Sequence, residues 1–236
     1  MSVTQRVNIP SSPPILSEYD VYLKIKSAKK TKGYIPGDLP RDLVKEFSPE
    51  LAGPVSTIFN NIISTAQWPT MWKTEYVIPL PKIQMPESED DLRPISLTNF
   101  FSKVLENFVF GWLLQYIEKK IDFRQYGALK GNSVCHYLIE LLNFILWNQE
   151  SQSPSAVLTC LIDFSKAFNR LNHNIIISKL SGMEVPTWLL KLVMGFLSNR
   201  RMLVRYRGKL SAIRNLPGGT PQGTLLGLLL FIIQSL

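Results

Sequence analysis

Leu161-Ile162-Asp163-Phe164-Ser165-Lys166-Ala167-Phe168-Asn169 is the stretch on which the reading of this chain turns. It closes an apolar run, Val157 to Ile162, with a β-branched residue at each end, the polar segment Ser151–Ser155 before it and Asp163 after it. Length, boundaries and composition predict a buried strand, with a helix beginning around Ala167. A carboxylate at the C-terminal end of a buried strand is where α/β folds commonly place metal ligands and catalytic groups. Taken alone, Asp163 reads equally well as a helix N-cap.

Upstream, residues 1–18 form a polar, Pro/Ser-rich lead-in, followed by a basic segment with Lys24, Lys26, Lys29, Lys30 and Lys32. That segment reads as a solvated loop or as an edge that tracks phosphates. Leu51, Val55, Ile58, Phe59, Ile62 and Ile63 recur at helical spacing, and Tyr76-Val77-Ile78 reads as a short strand ending at Pro79. Two amphipathic helices follow. One carries Phe101, Val104, Leu105, Phe108, Val109 and Trp112; the other carries Val134, Leu138, Leu141, Leu142 and Ile145. Both stripes are expected to lie in the core. Downstream, Pro186 opens a helix with Leu189, Leu190, Val193, Phe196 and Leu197 inward, and Met202 to Arg207 begins a hairpin. Strands alternating with helices suggest an α/β or α+β chain.

The composition bounds the function. The 236 residues are 45% hydrophobic and only 19% charged, which suits a folded chain with a sizeable core and argues against disorder. Lys and Arg number 26 against 18 Asp and Glu, a net charge of +8. The surplus suits a polyanionic partner, a membrane surface or plain solubility alike. Two cysteines and two histidines are too few for a structural zinc knuckle, and nothing suggests a disulfide framework. The N-terminus lacks the apolar core of a signal peptide, and the run Leu225 to Ile233 is far shorter than the roughly 20 residues of a bilayer span. An intracellular location without membrane contact is expected, with nucleus or cytoplasm left open.

Two further stretches could carry chemistry. In Leu216-Pro217-Gly218-Gly219-Thr220-Pro221-Gln222-Gly223, the glycines permit close backbone approach and Gln222 offers both a donor and an acceptor. By itself it reads as an ordinary loop before a helix. Lys82 and Arg93 flank a charged loop and could clamp a triphosphate, one as a point charge and one as a fork. Surface cations are more usually solvated.

Taken in order, these pieces resemble the reverse transcriptase (RNA-directed DNA polymerase) family of non-LTR, LINE-like retrotransposons. The resemblance runs from about Lys24 to Leu230. It is carried by Trp72-Lys73 through Pro81-Lys82, Leu92-Arg93-Pro94-Ile95-Ser96-Leu97 with Lys103 and Glu106, Gln125-Tyr126-Gly127 and Gly131-Asn132-Ser133. Ile162 to Phe168 with Arg170 and His173 comes next, and Pro221-Gln222-Gly223-Thr224-Leu225-Leu226-Gly227 last. The resemblance implies an α+β fold, the fingers and a partial palm of a right-hand polymerase, divided into fingers over 19–155 and partial palm over 156–236. It makes Asp163 the catalytic aspartate, which binds two Mg2+ or Mn2+ ions with the carbonyl of Phe164. Lys82 and Arg93 would hold the triphosphate of a dNTP, Phe168 would exclude a 2′-hydroxyl, and Gln222 with Gly223 would touch the incoming nucleotide. The implied partners are an RNA template and a DNA primer. Lys29, Lys30, Lys32, Arg200, Arg201 and Arg205 are weaker candidates for nucleic-acid contact, since solvated loops and a solvated hairpin explain them too.

The sequence also departs from that pattern. An aromatic-x-Asp-Asp hairpin is not found, and the only Asp-Asp pair, Asp90-Asp91, lies upstream of Arg93. Asn169 stands where relatives usually have Asp, and Leu228 where they have Pro. On this reading the chain stops before its catalytic Asp-Asp hairpin, lacks the thumb, holds an incomplete two-ion site and does not polymerise alone. Its apolar end, Leu225 to Leu236, is then expected to be exposed and to aggregate. The alternative is a remnant that binds RNA or an RNA–DNA hybrid without catalysis.

Overall fold

Apolar periodicity settles most of the elements, and capping residues set their ends. The computed structural model describes residues 12–29, 35–127, 131–150 and 156–236. Helix α1 (Glu18–Ser27) starts at a capping box in which the Asp20 amide donates to Ser17 Oγ at 3.1 Å. Helices α2 (Arg41–Glu46) and α3 (Ser48–Thr65) follow, with Val55, Phe59, Ile62 and Ile63 buried along α3. Strand β1 (Thr74–Pro81) and strand β2 (Leu92–Leu97) then form an antiparallel pair. The strand read at Tyr76–Ile78 therefore continues through Pro79, which faces Pro94, so two residues that cannot donate share one rung.

Helix α4 (Phe100–Ile117) is capped by Asn99, whose side chain accepts from the amides of Phe101 and Ser102. Helix α5 is Val134–Glu150, α6 is His173–Gly182 and α7 is Thr187–Leu197. Strand β3 (Arg201–Tyr206) turns at Arg207–Gly208 into β4 (Lys209–Leu210); β5 (Arg214–Asn215) and helix α8 (Leu225–Ser235) complete the chain. The sheet order is β2-β1-β3-β4, with β5 also paired to β3, and β1 runs parallel to β3. Residues 74–77 and 201–204 are thus neighbours in one sheet, although well over a hundred residues separate them. The main core gathers α1, α3, α4, α6, α7 and α8. Trp68 stitches part of it, its indole N–H donating to Leu192 O at 3.0 Å.

Four sequence expectations fail, three of them for want or supply of a covering surface. Residues 157–162 form no strand, and Leu158, Leu161 and Ile162 are 95%, 84% and 81% exposed. A buried strand needs neighbours on both edges, and no described strand pairs with this segment. The helix expected near Ala167 is a single 3-10 turn, Ala167–Arg170, and α6 starts after the N-cap Asn172. Helix α5 forms, yet none of its residues is buried, so the stripe at Val134, Leu138, Leu141, Leu142 and Ile145 is not core. Conversely, the apolar end expected to be exposed is α8, and Leu226, Leu229, Leu230, Ile232 and Ile233 are all buried in it. It packs against α4 and α6, which supply the apolar wall that the sequence reading did not foresee. Among the described residues, no helix is long and apolar enough to cross a membrane.

Candidate functional site

The loop from Leu216 to Thr224 is tied to three separate parts of the chain. At its start, the Leu216 amide donates to Arg200 O at 2.9 Å. In its middle, the Gly219 amide donates to Leu171 O at 2.9 Å and the Thr220 amide to Phe168 O at 3.0 Å. His173 Nε2 lies 2.8 Å from Gly219 O and donates to it. Near its end, the Ser96 amide of β2 donates to Gln222 O at 3.2 Å. Gly219 has φ +79°, and a Cβ there would meet Phe168 O at 2.9 Å, so this close approach needs glycine. Thr224 then caps α8 through the Gly227 amide.

These ties enclose a cleft of about 140 Å³, lined by Glu75, Pro94, Ser96, Asn169, Thr220 and Gln222 among others. Behind it lies a group of buried charges. Glu75 on β1 is 3% exposed, Glu106 on α4 is 2% exposed, and Arg200, between α7 and β3, is 2% exposed. Burial pushes Glu106 up to about 7, against the pull of Arg200 and Lys103. Burial also raises Glu75 and lowers Arg200 from their usual values.

The cleft brings together only part of the predicted site. Gln222 is half-buried with its carbonyl on β2, and Gly223, at φ +102°, faces solvent. The half-buried Phe168 ring sits 5.8 Å from Phe231 of α8, which also holds Phe164 at 5.7 Å. Lys82 and Arg93 are exposed at the far end of the β1–β2 pair, where Lys82 Nζ donates to Asp90 O at 2.6 Å. Asp163 is exposed on irregular backbone, its carboxylate accepting from the Phe164 amide at 2.9 Å. Among the described residues, no three His, Cys, Asp or Glu side chains are grouped to hold a metal ion. They fit one ligand of a divalent-cation site and not the site itself, because magnesium asks for near-octahedral oxygen donors.

Of the basic residues, Lys29 is exposed, while Lys30 and Lys32 lie outside the described residues. Arg200 is a correction: its guanidinium is in the interior, stacked 4.8 Å from the Phe196 ring, and cannot meet a nucleic acid. Arg201 is half-buried and donates to Thr74 Oγ1 at 3.1 Å, and Arg205 is half-buried. The sequence reading passed over Glu75. Its signal was a carboxylate in phase with the buried Val77 on the same strand.

A family model described as reverse transcriptase (RNA-dependent DNA polymerase) matches residues 81–234. Among curated proteins, the chain is 29% identical over 182 residues to the probable RNA-directed DNA polymerase from transposon BS of Drosophila melanogaster. It is 28% identical over 184 residues to the probable RNA-directed DNA polymerase from transposon X-element, and 28% over 182 residues to the RNA-directed DNA polymerase from mobile element jockey, both of the same organism. These alignments cover 76% or 77% of this chain and 20% of each relative, so the chain spans about a fifth of the length of the relatives it matches.

Proposed function

The chain belongs to the reverse transcriptase (RNA-dependent DNA polymerase) family, and on that premise we propose that it is the nucleotide-receiving part of a polymerase that copies retrotransposon RNA into DNA. In this reading, fingers elements over 19–155 and palm elements over 156–236 share the sheet that joins β1 to β3. One observation carries the proposal: the Gln222 loop, Phe168 and β2, far apart in sequence, are hydrogen-bonded around one cleft. A deoxynucleoside triphosphate would lie with its phosphates toward Lys82 and Arg93. Its sugar would lie against Phe168, whose position is held by Phe231.

Phosphoryl transfer needs positioning and charge neutralisation more than covalent help. Divalent ions, when bound, would supply that neutralisation and clamp the attacking and leaving oxygens. Asp163 and the carbonyl of Phe164 would lend them one set of ligands. Among the described residues no three His, Cys, Asp or Glu side chains are grouped to hold such ions, so we assign no catalytic step to them and propose that these 236 residues bind nucleotide but do not polymerise.

Fluorescent dNTP titration of the chain tests this. Arg93→Ala and Lys82→Ala should each weaken binding about tenfold, the worth of one charge-assisted contact. Phe168→Val should narrow the preference for dNTP over rNTP. Equal affinity in all three variants would overturn the reading, and incorporation of labelled dNTP above a heat-killed control would overturn the claim of inactivity.

A further inference from the structure

Arg200 is the only Lys or Arg among the buried residues described. Its Nη1 donates to Phe196 O at 3.2 Å, while Nε and Nη2 have no hydrogen-bond partner. A guanidinium in that position is very costly without counter-charge. Two carboxylates supply it from elements remote in sequence, Glu75 on β1 and Glu106 on α4, whose charges both act on Arg200. Such buried clusters seldom add stability over apolar packing of the same volume. What this one has is connections. The Arg200 carbonyl receives the Leu216 amide, where the Gln222 loop begins. Ser96 lines the cleft with Glu75 and its side chain favours the ionised Glu75 carboxylate, while the Ser96 amide donates to Gln222 O, where the loop ends. Both ends of the loop are therefore bonded to residues that belong to the charge cluster or touch it.

We propose that Glu75, Arg200 and Glu106 are positioning residues that set the Gln222 loop at its working distance from the fingers sheet. The proposal rests on the nucleotide-receiving reading for its purpose, but not for its geometry. Lys103 also faces Glu106, Ser102 Oγ donates to Glu106 Oε1 at 3.3 Å, and Lys73 lies close enough to Arg200 to feel its charge. Arg41 and Asp38 act on Lys103 in turn. With Glu106 neutral, Glu75 and Arg200 balance; when Glu106 ionises, a further charge must be held in the interior against a desolvation cost that Arg200 and Lys103 only partly offset, and the cluster's grip loosens.

Amide hydrogen exchange on the 236-residue chain, read peptide by peptide beside urea stability, tests the assignment. In Arg200→Lys and in Glu75→Gln, peptides over 214–224 should exchange about tenfold faster, as local opening does, while those in α4 and α8 hold. The same loop in the unmodified chain should lose protection, corrected for intrinsic exchange, as pH rises through neutrality; Glu106→Gln should remove that dependence. A merely structural cluster would instead speed exchange evenly across the core, and that result, or an unchanged loop, overturns the proposal. Because exchange needs no nucleotide, a loop that loosens as expected in a chain that binds no dNTP would sink the functional reading and leave this one standing.

Discussion

Helices α4 and α5 have nearly the same length and the same kind of apolar stripe, and the structure treats them in opposite ways. In α4, Val104, Leu105, Val109, Leu113 and Ile117 are buried against the other helices. In α5, Leu142, Leu146 and Trp147 stand 56%, 50% and 79% exposed. The apolar runs 157–162 and 225–235 repeat the contrast, the first bare and the second packed. Amphipathic spacing declares that a face must be covered. It does not say by what, and only the first member of the helix pair and the second of the run pair find a wall among the described residues.

The sharpest way to break the contrast is to place one charge on each side of it. Leu230→Asp, fully buried in α8, should abolish cooperative unfolding, since an unpaired buried charge costs several kcal/mol or more. Removing 225–236 should likewise unfold the chain rather than solubilise it. A soluble, cooperatively folded deletion product would show that α8 is not core.

Next comes the interior of α4 itself. Glu106, raised from 4.5 to about 7, keeps a proton in the folded chain that the unfolded chain has lost. Stability should therefore fall as pH rises from about 4.5 through 7, by roughly 3 kcal/mol for a shift of that size. Urea unfolding across that range measures it, and Glu106→Gln should flatten the curve. A stability that rises with pH in this window would contradict the burial of Glu106.

Gly219→Ala probes the seam between the bare segment and the packed end. At φ +79°, with Phe168 O 2.9 Å from the new Cβ, it should cost about 1–3 kcal/mol. A loss confined to exchange protection near 168–172 and 218–220 would place the strain at the seam. The smallest effect belongs to α5. Leu142→Lys with Trp147→Lys should change stability by no more than about 0.5 kcal/mol, because both side chains are exposed. Light scattering should show less aggregation, and a large loss of stability would mean that α5 has a covered face after all.

Much of the fold was readable from residues alone. Val55, Phe59 and Ile62 announced α3, Leu189, Val193 and Phe196 announced α7, and the turn at Gly208 announced the hairpin, because helix and strand periods are local properties of the chain. The Gln222 loop and Phe168 were legible as a site only through resemblance, since neither stretch has a local signal stronger than that of an ordinary turn. Glu75 and Arg200 were misplaced or passed over. Arg200 sits in a basic run beside Arg201, and nothing local distinguishes the guanidinium that turns inward after Asn199, at φ +53°, from that of half-buried Arg201.

By itself, then, the sequence determined the type of most elements, the family, and the order in which the motif-bearing segments follow one another. Tertiary structure alone decided which apolar faces are covered, that Arg200 and Glu106 meet in the interior, and that loop 216–224 closes on β2 and Phe168. The physical reason is that periodicity and capping act over a few residues. Burial, and the proton affinities that follow from it, depends on surfaces that the chain brings together from more than a hundred residues apart.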